Sequence, residues 1–177
     1  RRQEKGRYRL HLNDLLEQPL GDCLLLWLEG DEQSLLTVTE VFNGRLWLAM
    51  ELFADGLQQQ RRTLLEKTAA RLNLPLVACG DVHMHRRGRR ALQDTLTAIR
   101  LNQPLSSLGQ RLFANGERHL RAPEELAHLY PAEALAETLR IAKRCQFELT
   151  ELRYEYPHEL IPSGHSPSSW LRHLPLT

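Results

Sequence analysis

RLWLAMELFADGLQQQRRTLLEKTAARLNLPLVACGDVHMH, residues 45–85, decides the fold. Its first eight residues, Arg45 to Leu52, follow the turn pair Asn43-Gly44 and carry few polar groups before Glu51, the pattern of a strand buried on both faces. From Gly56 the character changes. Leu57, Leu64, Leu65, Ala69 and Leu72 recur at three- and four-residue steps among Gln, Arg, Glu and Lys, so an amphipathic helix runs to about Asn73. Pro75 ends it, and Leu76-Val77-Ala78-Cys79 is another short apolar strand. Two buried strands joined by a helix imply a parallel pair with a crossover, in an α/β layer or barrel.

Outward from this unit, Cys23 to Leu28 is a further continuous apolar run ending at Glu29-Gly30, expected as a strand buried on both faces. Downstream the chain turns helical. Residues 89–101 carry Leu92, Leu96 and Ile99 on one stripe, and residues 131–145 carry Leu135, Leu139, Ile141 and Ala142 on another. After Thr150, the segment through Tyr154-Glu155-Tyr156-Pro157 to His165-Ser166-Pro167 reads as extended chain and loop, a linker toward another domain.

The 177 residues suffice for one domain or part of one. At 42% hydrophobic and 25% charged the composition is that of a packed protein and not of a disordered tail. The net charge of +1 offers nucleic acid no whole-chain attraction, so any contact must be local. Arginines cluster at Arg1-Arg2, Arg7-Arg9, Arg61-Arg62 and most densely at Arg86, Arg87, Arg89 and Arg90. Such a run either touches phosphate or is a solvated face, the commoner case. Cys23, Cys79 and Cys145 are far apart and odd in number, which indicates neither a disulfide framework nor a zinc knuckle and fits a reduced cytoplasm. No apolar run approaches the length of a membrane span. The first residue is Arg and not Met, the expectation being a cut chain.

Function in parallel α/β architectures concentrates just after the strands. Glu51 and the cluster Asp81, His83 and His85 lie there. An Asp and a His at i and i+2 in extended chain share a side, so carboxylate and imidazole can converge on one divalent metal, and His85 has the same parity. The other reading is that Asp81 caps a turn and the histidines are ordinary loop residues. On spacing alone the capping reading is slightly ahead, and Glu51 is balanced between ligand and solvated strand end. Arg86 to Arg90 would hold anionic oxygens beside a phosphoester site. His119 and His165 are expected as hydrogen-bonding loop residues, and Cys79 as packing.

Three stretches, Glu4 to Leu10, Leu74 to His85 and Leu92 to Arg100, carry a resemblance that continues in order through Asn115 to Arg121, Ile141 to Cys145, Leu152 to Pro157 and His165-Ser166-Pro167. Together they resemble the bacterial error-prone DNA polymerases, the C-family enzymes of translesion synthesis. The resemblance implies that residues 1–150 are the later part of an N-terminal PHP domain, a distorted (β/α)7 barrel with a metal cluster. Helices follow, and residues 151–177 become an extended linker toward a palm domain. It makes Asp81 and His83 the last pair of metal ligands, with His85 beside them. Glu51 falls near a ligand region where a His usually follows; here Phe53, Ala54 and Asp55 stand, so that either Asp55 substitutes or a ligand is lost. The domain's opening HxH motif would precede Arg1, and removal of the first strands would leave apolar sheet edges exposed.

The cofactors implied are a divalent ion, Zn or Mn, at the PHP site and Mg at a polymerase site whose carboxylates lie downstream. The partners implied are DNA, dNTPs, the sliding clamp and damage-inducible accessory proteins, with no membrane and a cytoplasmic location. Three readings are weighed: a scaffold piece of a DNA-directed DNA polymerase acting in damage-induced synthesis and inactive alone; a metal-dependent PHP phosphoesterase or 3′–5′ exonuclease; and a non-catalytic structural and protein-interaction module.

Overall fold

In the computed structural model, residues 9–17, 20–153 and 161–173 are described. Arg1, Arg2 and Arg7, most of the Glu4 to Leu10 stretch, and Tyr154 to Pro157 lie outside them. The chain divides into two compact units, residues 1–144 and 145–177.

The first unit begins with a short helix α1 (Leu12–Glu17) and strand β1 (Leu25–Trp27). Then come helix α2 (Glu32–Val41), strand β2 (Leu46–Glu51), helix α3 (Gln58–Leu72) and strand β3 (Leu76–Cys79). All three strands are parallel and stand in chain order, β1-β2-β3. Consecutive parallel neighbours with right-handed crossovers send successive helices to one face. Accordingly, Leu35 and Val38 of α2 and Ala69 of α3 share one core with Leu46 and Leu48 of β2.

The period of two along β2 loads both faces. Its odd positions Trp47 and Ala49 pack with Val77, Leu24 and Ile141 on the other side. Ile141 belongs to α6 (Ala132–Arg144), which follows α4 (Arg90–Leu101) and α5 (Pro123–Leu129). Helices therefore flank an open sheet, and among the described residues no closed ring of strands forms. Toward the strand exits, Met50, Leu52 and Tyr130 close a third cluster with Leu126, Leu129 and Leu135.

Local chemistry sets the ends. Asn73 closes α3 in the left-handed conformation, φ 51°, its N–H donating to Ala69 O, a role Asn tolerates better than other non-glycine residues. Pro123 opens α5 at a position where its missing N–H costs nothing. The sequence reading did not anticipate α2, although Asp31 caps it by accepting from Ser34 N–H at 2.8 Å.

One expectation is corrected. β1 is not buried on both faces: Leu26 is 39% exposed and the following Leu28 58%. Among the described residues only β2 pairs with β1, which makes β1 an edge of the described sheet. The helix expected over residues 89–101 is present as α4, with its apolar stripe exposed. Leu92, Leu96 and Ile99 are exposed while Thr97 turns inward, its hydroxyl donating to Gln93 O at 3.0 Å.

In the second unit the expected extended chain is interrupted. Leu149–Glu151 forms one 3-10 turn closed by a reciprocal Glu148–Glu151 capping box. Pro167–His173 forms a helix, α7. Its first turn is pinned by Ser166 N–H donating to Ser169 Oγ at 2.9 Å, and the Trp170 ring stacks on His173 at 5.4 Å.

Candidate functional site

The exits of β2 and β3 are adjacent, since Glu51 pairs in register with Cys79. Both exits bend through a left-handed non-glycine residue, Ala54 at φ 49° and Asp81 at φ 39°. That conformation costs L-residues about 1–2 kcal/mol, less for Asp than for Ala. Such strain persists only where surrounding contacts hold it.

Most of the holding comes from one segment, residues 115–121, which crosses both exits. Asn115 Nδ2 donates to Phe53 O at 2.6 Å and Arg121 Nη2 to Leu52 O at 3.3 Å. Beyond β3, the N–H groups of His83 and Met84 donate to Arg118 O at 2.9 and 3.1 Å, and Leu120 N–H donates back to Met84 O at 3.0 Å. Tyr130 adds a bond from its hydroxyl to Cys79 O at 2.7 Å.

Glu117 links two arginines, accepting from Arg121 at 3.2 Å and pairing with Arg87. Burial pushes its carboxyl pKa up, but the hydrogen bonds from Arg121 and Arg87 outweigh burial and hold it below 4.5. The same burial raises the Tyr130 hydroxyl and the Cys79 thiol, the latter helped by the Glu51 charge. Cys79 is thus a packing thiol and not an activated one. An open cleft of about 660 Å³ above this network is lined by Arg87, Glu117, His119 and His128 among others. Its charges are mixed, and its Arg87 is committed to Glu117.

The residues expected as ligands are placed as follows. Asp81 and His83 do come together, His83 Nε2 lying 3.1 Å from Asp81 Oδ1. The second carboxylate oxygen of Asp81 is bound by Arg118. Asp55 is engaged by Arg61 and accepts Leu57 N–H at 3.2 Å, and the bond from Arg61 holds its carboxyl below the usual range. Glu51 is half-buried at the end of β2, and His85 is exposed. A hydrolytic metal centre requires three or more converging ligands. Among the described residues no group of three His, Cys, Asp or Glu side chains meets that requirement. By themselves these residues do not fit the implied ion.

Of the arginine run, Arg87 pairs with Glu117. Arg90 Nη2 donates to Phe113 O at 3.0 Å, with its Nε 3.6 Å from Asp94. Arg86 and Arg89 are exposed. As expected, His119 and His165 are hydrogen-bonding loop residues, His119 Nδ1 lying 2.8 Å from Gly116 O and His165 Nδ1 3.3 Å from Ser169 Oγ.

Sequence reasoning missed Arg118, Phe53 and Phe113. The Arg118 guanidinium lies over the Phe53 ring at 3.8 Å and over the Phe113 ring at 4.5 Å. Asn115 to Arg121 was singled out only as part of a resemblance. The signal available was a polar, charge-dense stretch lacking helical periodicity, which in a packed protein must bind something.

Among the described residues no helix is long and apolar enough to cross a membrane. No family model matches the chain. Curated relatives do. An "Error-prone DNA polymerase" of Pseudomonas aeruginosa is 54% identical over 177 residues, covering 98% of this chain and 17% of the relative. One of Methylococcus capsulatus is 52% identical over 174 residues, with 97% and 17% covered. One of Pseudomonas fluorescens is 55% identical over 177 residues, again with 97% and 17% covered. The chain therefore spans about a sixth of the length of the curated relatives it matches. Identity above one half, sustained along nearly the whole chain, establishes that the chain belongs to the bacterial error-prone DNA polymerases as a section of their sequence.

Proposed function

We propose that this chain is a scaffold section of a DNA-directed DNA polymerase that extends primers past damaged template bases. The observation that carries this reading is the identity of 54% across 98% of the chain to an error-prone DNA polymerase. In the complete enzyme the substrates are DNA and dNTPs, and Mg²⁺ supports nucleotidyl transfer at carboxylates outside this section. The three parallel strands, in chain order with both crossover helices on one face, suit a wall segment of a PHP-type distorted barrel. Any phosphate contact made by the arginine run falls to Arg86 and Arg89, since Arg87 and Arg90 are committed within the fold.

The section's own role is structural, which the engagement of Asp81 by Arg118 favours over a phosphoesterase. Primer extension across an abasic site, using the full chain as the cell makes it, tests the reading. The expected result is template-dependent incorporation in Mg²⁺ that survives Asp81→Ala/His83→Ala. Absence of template-dependent incorporation overturns the polymerase assignment. Release of mononucleotides from a 3′ end that is lost in the double variant overturns the structural role.

A further inference from the structure

We propose that Arg118 supplies from within the chain the positive charge that a metal ion would bring to the Asp81–His83 corner, so that the corner is built and held without metal. This rests on the structural role proposed above and names what fulfils it.

The first ground is the commitment of Asp81. One carboxylate oxygen faces His83 Nε2 at 3.1 Å and the other is paired with the Arg118 guanidinium. An ion arriving at Asp81 would have to displace a charge-assisted bond and also break the contact to His83.

The second ground is that Arg118 is not a mobile surface side chain. Its guanidinium carbon is 3.8 Å from the centroid of Phe53 and 4.5 Å from that of Phe113, and its side chain is 21% exposed. Phe113 in turn packs on the His83 ring at 4.9 Å between centroids. The Arg118 charge thus lies over two aromatic rings, one from the β2 exit and one from the loop before residue 115, and is paired with the carboxylate of the β3 exit. A planar cation satisfies both requirements at once, because it stacks on rings and still bonds a carboxylate through its edge.

The third ground is the backbone. Arg118 O takes the N–H groups of His83 and Met84, and Met84 O takes that of Leu120, so the residue that carries the charge also supplies the pairing that orients His83. Met84, between the two histidines, is 5% exposed and anchors the strip in the core. A guanidinium keeps its charge at every pH the fold survives.

The test reads amide hydrogen exchange at His83, Met84 and Leu120 in the full chain as the cell makes it. Wild type is compared with Arg118→Met and Arg118→Lys, each with EDTA, Zn²⁺ or Mn²⁺ added. We expect wild-type exchange to be indifferent to chelator and to both ions. Arg118→Met should accelerate it about tenfold or more through local opening, and Arg118→Lys, which keeps charge but not planarity, should fall between. The proposal is overturned if EDTA speeds exchange at these amides in the wild type or either ion slows it. It is equally overturned if Arg118→Met exchanges like wild type. Should Arg118→Met fail to fold, the chelator and metal arms on the wild type still decide. Primer extension on the same samples reports separately on the polymerase assignment.

Discussion

The exits of β2 and β3 begin alike and end differently. Each leaves a strand of the sheet, passes a left-handed non-glycine residue and carries an acid considered as a metal ligand, Asp55 through the resemblance alone and Asp81 through spacing and resemblance together. At the β2 exit the acid is answered locally, by Arg61 six residues on. At the β3 exit it is answered by Arg118, 37 residues away. The β2 exit contributes backbone carbonyls and the Phe53 ring as receivers for Asn115, Arg121 and Arg118. The β3 exit contributes the carboxylate. What joins them is a single segment with arginines at both levels, and the lesson is that an acid at a strand end is not a ligand until its counter-charge has been found.

The largest effect that would sharpen this comparison is expected from Arg121. Its side chain is 7% exposed and reaches the β2 exit through Leu52 O and Glu117. Arg121→Ala leaves the half-buried Glu117 carboxylate, 13% exposed, with only the exposed Arg87 as partner, and a loss of about 2 kcal/mol is expected, between that of an exposed and that of a fully buried pair. Denaturant unfolding of the full chain, following the transition that contains this section, measures it. A loss no greater than that of an exposed pair, below about 1 kcal/mol, would mean that the β2 exit does not depend on the segment.

Acid should act on the same link more weakly. The folded pKa of Glu117 lies below its ordinary value of 4.5. Its stabilisation is therefore fully present above that value and lost as pH falls through the folded pKa. Stability should decline on acidification below 4.5, and Glu117→Gln should flatten that limb while leaving the neutral value lower than wild type. An unchanged acid limb in the variant would remove Glu117 from the account.

The smallest effect separates the two bends. Ala54→Gly should stabilise by up to about 1 kcal/mol, since Gly adopts positive φ without the Cβ penalty. Asp81→Gly relieves a similar bend but forfeits the bonds to Arg118 and His83, so it should destabilise. Equal signs for both substitutions, read in the same unfolding experiment, would break the contrast.

The legible part of this fold was the part with a local cause. β2, α3 and β3 follow from apolar runs, a period near 3.6 and Pro75, and their observed limits agree with that reading within two residues. β1 was legible as a strand but not as an edge, because pattern along the chain carries no count of neighbours in the sheet. α4 showed its period but not its orientation, since the exposed stripe of Leu92, Leu96 and Ile99 looks the same in sequence whether covered or bare. At the site, the i,i+2 spacing of Asp81 and His83 points to convergence only for extended chain and leaves the turn-capping reading slightly ahead; the two do meet, but through a left-handed Asp81 at φ 39° that the spacing does not carry. Arg118 was invisible, because its three partners Phe53, Asp81 and Phe113 are united only by the closing of the 115–121 segment over the strand ends.

The central claim is that Asp81 and His83 are held by an arginine and not by an ion. Elemental analysis of the purified full chain, wild type beside Asp81→Ala/His83→Ala, addresses it most directly. The account expects the two proteins to carry the same amount of zinc and manganese. Stoichiometric metal in the wild type that disappears in the double variant would contradict it.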